Sequence, residues 1–278
     1  MLRKATEMDL AELITLYCAA HQSTRTEAAA WLQDIVGFEN LLLLEKAPVR
    51  SEDPPFGAML GTVPAKYGYR HGVWLTEATV RPDLCGKGLE AKLESSLLRA
   101  FAQRGADFVV AVPQDAQAMA LYEELGFQKA FPLRVVQKPI ARNLLAQADF
   151  DTMTVRRLQE TRLRYFPGCV ELPERDMAGI VARLYRQGIT IVSSTRGYGL
   201  YYTDGDILQF IELQAANDHA ADVLLQAARE KTGATQAKLL LSENQVLYLG
   251  EGKRCGYGMI HFLNKAFPLA DMYFRLLL

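Results

Sequence analysis

The run Val80-Arg81-Pro82-Asp83-Leu84-Cys85-Gly86-Lys87-Gly88-Leu89-Glu90 decides how this chain is read. An extended stretch, Trp74 to Val80, leads into it, and a helix-period stretch, Leu89 to Phe101, leaves it. Between them two glycines flank Lys87, so the pattern predicts a strand, a tight turn and a helix start. Glycine permits positive φ and lets a ligand come close to the backbone. The first amides of a helix have no intrahelical acceptors and sit at the positive end of its dipole. Such a turn suits an anion, phosphate above all. On the turn alone, a purely structural loop is an equal reading.

Downstream come Gly105-Ala106-Asp107, the apolar run Phe108–Val112, Pro113-Gln114-Asp115, a helical stretch Ala116–Leu125, and Gly126-Phe127. Taken together, VRPDLCGKGLEAKL and GADFVVAVPQDAQAMALYEELGF resemble the GNAT superfamily of acyl-CoA-dependent N-acyltransferases. The resemblance spans Met1 to about Ile140 and returns more faintly in the C-terminal half. It implies an α/β fold with a mixed, mostly antiparallel twisted sheet flanked by helices, and acetyl-CoA as co-substrate.

The resemblance also implies roles. In the family, backbone amides of the turn hold the pyrophosphate of coenzyme A. The usual opening arginine or glutamine falls on Cys85, the first motif glycine on Gly88, and the second glycine or alanine on Glu90. Gly86 and Lys87 match a frequent filling, with Leu89 between Gly88 and Glu90. Cys85 lacks arginine's donors, and Glu90 places negative charge where phosphates belong. Asp115 stands where the family often has an asparagine that contacts the pantetheine arm. Tyr122 matches a tyrosine that can protonate the departing thiolate; a core aromatic is the bland alternative. Glu77 matches a strand glutamate that helps deprotonate the acceptor amine; a satisfied structural carboxylate is the alternative. A backbone amide of Ala78-Thr79-Val80 would stabilise the oxyanion. Cys85 as an acyl-carrying nucleophile has no evident base partner in the sequence.

The remaining chain sets bounds. Its 278 residues are half hydrophobic and carry a net charge of −1, which suits two domains and gives no electrostatic basis for nucleic-acid or membrane-surface binding. Four dispersed cysteines and four dispersed histidines predict neither metal site nor disulfide framework, and suggest a reducing cytoplasm. No run approaches membrane-span length. Stripes predict helices through Leu10–Cys18 and Glu27–Ile35. Strands are expected at 40–45, 56–63, 72–80 and, as the last of the first sheet, 131–140; Lys46–Pro55 reads as a long loop.

The second half predicts a basic surface helix at Val155–Tyr165 and an amphipathic helix after Pro173. Strands follow at 189–193, 199–202, 207–213 and 237–241, with a helix at 220–231, a last strand near 256–263 and an apolar tail, Phe267–Leu278. Strand, strand, helix, strand repeats the order of the first half, but Gln214-Ala215-Ala216-Asn217-Asp218-His219 has no glycine at the turn. Glu212 and His219 read as strand-edge and helix-start residues. The expected division is residues 1–140, a GNAT-like acyl-CoA-binding domain; 141–153, a linker; and 154–278, a degenerate GNAT-like domain. The expected function is acetyl transfer from acetyl-CoA to a primary amine on a small molecule or peptide, with no metal. A homodimer is left open. The rival reading is a non-catalytic sensor of acyl-CoA or another small ligand.

Overall fold

The computed structural model describes residues 2–47, 55–76 and 78–277. Glu77 and most of the Lys46–Pro55 loop lie outside the described residues. The elements are β1 Leu2–Lys4, α1 Leu10–His21, α2 Arg25–Ala30 with a π-helical continuation Trp31–Val36, β2 Leu41–Glu45, β3 Phe56–Tyr67, β4 Arg70–Leu75, β5 Thr79–Val80, α3 Leu89–Gln103, β6 Phe108–Ala111, α4 Ala116–Glu124 and β7 Gln128–Ala130. Then follow β8 Leu133–Pro139, β9 Asp149–Phe150, α5 Val155–Tyr165, α6 Glu174–Arg186, β10 Thr190–Ser194, β11 Gly197–Asp204, β12 Ile207–Ala215, α7 Asp218–Thr232, β13 Gln236–Ser242, β14 Lys253–Cys255 and β15 Gly258–Phe262.

Two compact units result. The first holds Met1–Lys129, Glu171–Gly179 and Gly258–Phe267; the second holds Ala130–Val170, Ile180–Tyr257 and Pro268–Leu278. Among the described residues the first sheet runs β1-β2-β3-β4-β6-β15-β7, with β5 on β3, and the second runs β14-β8-β13-β12-β11-β10-β9.

Two strands therefore change sheets relative to the sequence reading. The strand expected to close the first sheet is β8, and it pairs in the second, with Val136 opposite Leu239 on β13. The strand expected to close the second half is β15, and it pairs in the first, with Ile260 opposite Val110 on β6. Sequential strands usually neighbour one another, so the hydrophobic pattern finds both strands but not their partners. Gly258, Met259 and Ile260 are buried, as an interior strand covered on both faces requires.

In the first unit, Leu93, Leu97, Leu98 and Phe101 of α3 pack on Leu60, Leu75, Val109 and Met259 of the sheet. These positions recur every three to four residues, which is why the run from Leu89 onward becomes a helix. In the second unit, Ala221, Leu224, Leu225 and Ala228 of α7 cover Leu208, Phe210, Leu239 and Leu241. The C-terminal segment packs as its composition demands: Met272, Tyr273, Phe274, Leu276 and Leu277 are all buried. Helix α5 is exposed along Arg156, Arg157, Glu160 and Arg164, as a surface helix should be, but Arg162 on its inner face is only 2% exposed. Its Nε donates to Glu212 Oε1 at 3.1 Å, and Tyr273 Oη donates to the same oxygen at 2.6 Å. Glu212 is thus a buried ion-pair partner rather than a strand-edge residue. No helix among the described residues is long and apolar enough to cross a membrane.

Candidate active site

The glycine turn forms as its residues require. Strand β5 ends at Val80, Pro82–Leu84 make one 3-10 turn, and Gly86 and Gly88 follow at φ +70° and +69°. Gly88 is the N-cap of α3, and no side chain caps that helix start. By contrast, Asp115 Oδ1 accepts from Ala118 N at 2.8 Å to cap α4. The orphan amides of α3 are therefore the ones available to an outside acceptor.

A cavity of about 390 Å³ opens against this turn, lined by Ala78, Gly86, Gly88, Glu90, Glu94, Asp115, Gln117, Ala118, Leu121 and Tyr122. It gathers six of the expected site residues: Ala78, Gly86, Gly88, Glu90, Asp115 and Tyr122. Glu77 lies outside the described residues, and the other five sit elsewhere. Val80 is buried in the core and Leu89 packs at its margin. Thr79 is buried and meets His21. Exposed Cys85 directs its thiol at the Val80 and Arg81 carbonyls, at 3.8 and 3.7 Å. Lys87 Nζ donates to the Asp83 carbonyl at 2.7 Å.

Charge sets the character of this cavity. Three carboxylates line it, and no cationic side chain among the described residues does. Burial raises the Glu90 carboxyl above its usual range. Glu94 is 1% exposed. It escaped the sequence reading, although its place four residues after Glu90 puts the two on one face of α3. Arg81 is committed elsewhere: it is buried, with Nε 2.6 Å from Asp83 Oδ1. Burial and the charges of Glu90 and Asp83 raise the Cys85 thiol, so it is held as the less reactive thiol form. Tyr122 is 1% exposed, and its ring centre lies 4.9 Å from that of Phe127.

On the α1 side of β5, His21 Nε2 lies 3.0 Å from Thr79 Oγ1. The His21 and Tyr17 ring centres are 4.4 Å apart, Tyr17 and Trp31 are 6.2 Å apart, and Trp31 meets Trp74 edge-on at 6.0 Å. Burial lowers the His21 imidazole below its ordinary value. Nothing in the sequence singles out His21, because a lone histidine ending an amphipathic helix carries no spacing signal.

The family model described as FR47-like protein matches residues 68–136, the segment from the β3–β4 turn through the glycine turn to β8. No curated protein matches the chain in sequence. Solved structures match across nearly its whole length. Eis1 from Mycobacterium abscessus is 14% identical with a TM-score of 0.69, over 95% of this chain and 74% of that one. A GCN5-related N-acetyltransferase from Anabaena variabilis is 14% identical with a TM-score of 0.65, over 95% and 73%. A tandem GNAT protein from the clavulanic acid biosynthesis pathway is 11% identical with a TM-score of 0.54, over 96% and 100%. The chain has the GNAT fold, in tandem.

The two GNAT copies can be aligned by strand register. In the first, four parallel pairs run from Gly72↔Phe108 to Leu75↔Ala111; in the second, four run from Ile207↔Gln236 to Phe210↔Leu239. Leu75 and Phe210 are 135 positions apart, and so are Glu77 and Glu212. Continued past the paired stretch, the same offset sets Glu212 against sequence position 77 and Ala215 against Val80. Past the paired stretch the second copy is closed by its own chain. Gln245 Nε2 donates to the Leu213 carbonyl at 3.4 Å, and its Oε1 accepts from Ser242 N at 3.1 Å. At the start of α7, Asn217 caps Ala220 N at 2.9 Å, while Asp218 accepts from Tyr248 N at 2.9 Å. Leu213 corresponds to Ala78, so Gln245 bonds to the strand position that lines the cavity in the first copy.

Proposed function

We propose that the first unit transfers an acyl group, acetyl in the simplest case, from acyl-CoA to a primary amine. The observation that carries this reading is the uncapped start of α3 opening on a cavity that also holds Tyr122. The amides of that helix start would hold the pyrophosphate, and the pantetheine arm would run past Ala78 and Asp115. The amine attacks the thioester carbonyl directly, with a backbone amide near Ala78 stabilising the oxyanion. Alignment of two bound reactants would supply much of the acceleration, on the order of 7 kcal/mol or more in favourable cases. Tyr122 is the candidate acid for the leaving thiolate and Glu77 a candidate base for the amine.

One observation favours the rival, a binding protein that releases no product. Glu90, Glu94 and Asp115 oppose a polyanion, which argues for weak or altered coenzyme A binding. Thermal unfolding with and without acetyl-CoA separates the readings. Ligand at 100 times its dissociation constant adds about 2.7 kcal/mol of stability. The transfer reading expects that shift, its loss in Ala118→Trp, which fills the cavity from α4, and thiol release with an amine. A shift without thiol release across an amine panel supports the sensor; no shift at millimolar ligand rejects both.

A further inference from the structure

The first sheet has a second end, away from the glycine turn, and an arginine stands on it. Strand β4 runs from Arg70 to Leu75, roughly 17 Å of extended chain, so Arg70 is remote from the cavity that follows Leu75. It pairs with Tyr67 across the tight turn Gly68-Tyr69, where Gly68 takes φ +58°. Directly opposed residues share a face of the sheet. That face continues through Gly72 to its ladder partner Phe108, and from Phe108 to Phe262. Glycine is needed at 72, because a Cβ there would lie 2.4 Å from the Phe108 ring. Phe267 completes the layer: its ring centre is 5.7 Å from that of Tyr67, 5.9 Å from Phe108 and 4.8 Å from Phe262. All of these residues belong to the first unit.

Arg70 is held by rings alone. Its Cζ lies 4.3 Å from the Phe267 ring centre and 4.6 Å from that of Tyr69. Among the described residues its guanidinium pairs with no carboxylate. Asp107, the residue before β6, is engaged by the backbone: its Oδ2 accepts from His71 N at 3.0 Å. Rings hold a guanidinium by its flat faces and leave its N–H edge for an outside acceptor. Tyr69 is 78% exposed, and Lys265 is exposed in the turn that joins Phe262 to Phe267.

We propose that this end of the first unit docks an acidic peptide segment of a protein partner, with one carboxylate forked by Arg70 and an adjacent apolar side chain laid on Tyr69. Charge complementarity selects that occupant. The surface offers two cations beside exposed aromatic area, and the neighbouring acid is engaged. The guanidinium fork matches the two oxygens of a carboxylate. Contact with the rings restrains the arginine before binding, which lowers the ordering cost of the complex. Tyrosine and arginine are also the side chains that most often anchor protein interfaces. A nucleic acid fits less well, because its affinity comes from neutralising many phosphates and the chain carries a net charge of −1. Docking here is independent of acyl transfer, since none of these residues lines the cavity.

The test is fluorescence anisotropy with the full chain and a labelled peptide of glutamates flanking a single phenylalanine. Binding is expected at low salt and should weaken as salt rises, because exposed charges are screened. Arg70→Gln should weaken it about tenfold, the scale of a charge-assisted hydrogen bond. Arg70→Lys keeps the charge but loses the fork, and should weaken it about threefold. Lys265→Glu changes an exposed side chain outside the ring layer and should weaken it about fivefold; it decides alone if Arg70→Gln fails to fold. Arg156→Gln removes the same charge from α5 and should leave binding within about twofold. No binding at millimolar peptide would overturn the proposal. So would equal binding of the lysine counterpart of the peptide, equal loss in Arg156→Gln, or full binding by Lys265→Glu and folded Arg70→Gln. Tighter binding of an oligo-uridine of the same length would overturn it in favour of a nucleic-acid partner.

Discussion

In the proposed acyl-CoA site Glu90 stands where the resembled motif has a small residue, and it is the residue whose chemistry is most open to test. Its carboxyl is raised by burial, so lowering the pH neutralises it in the range where other carboxylates still ionise. Acetyl-CoA should therefore bind wild-type protein more tightly as pH falls through that raised value, while Glu90→Gln should lack this component. At neutral pH the variant should bind about fivefold more tightly, which is ~1 kcal/mol for one like charge removed from a partly screened site; titration calorimetry reads both effects. Asp176 offers a stability counterpart. Burial lifts its carboxyl to about 6 from 3.8, so the folded protein keeps a proton that the unfolded chain releases. Its contribution is fully present below the unfolded value and is lost as pH rises through about 6. Asp176→Asn should flatten that slope and stabilise the protein at pH 7 by on the order of 2 kcal/mol, measured by denaturant unfolding. The sequence showed Glu90 and Asp115 as departures, because a motif fixes where a small or amide residue belongs. It did not show His21 or Glu94, whose meaning comes from burial and from what lies opposite.

At the scale of elements, hydrophobic period located nearly every helix and strand, and the glycine turn fell where its residues placed it. The failure was in assignment to sheets: β8 and β15 were legible as strands, but nothing local to either one names its neighbour. Helix α5 shows a related limit. A run of arginines reads as solvated, yet Arg162 turns inward to Glu212, where Tyr273 also bonds. Burial and the Glu212 charge push the Tyr273 phenol well above its usual value, which keeps it a donor. Arg162→Leu should destabilise the chain by about 3–5 kcal/mol, because it strands a buried carboxylate. Arg162→Leu with Glu212→Leu should recover most of that loss in urea unfolding. A double variant as unstable as the single one would mean that shape rather than charge dominates there.

For the whole molecule, the two GNAT copies share a ladder register and differ in what fills the end of it. The first leaves a cavity; the second satisfies the corresponding backbone groups with Gln245 and ties Asp218 at the start of α7 to Tyr248. Coenzyme A should accordingly saturate at one equivalent per chain in calorimetry, and a stoichiometry of two would contradict the closure. The absence of a glycine turn made the second copy's degeneracy visible in the sequence; the closing residues were not, because a glutamine in a loop has no pattern. The placement of β15 has a consequence for how the protein is made. Its partner strand β6 ends at Ala111, but the ribosome reaches Gly258 nearly 150 residues later. At roughly 5–20 residues per second that delay is about 7–30 s, during which the nascent first half exposes an apolar strand edge. The emerging polypeptide then needs shielding of that edge until β15 is translated.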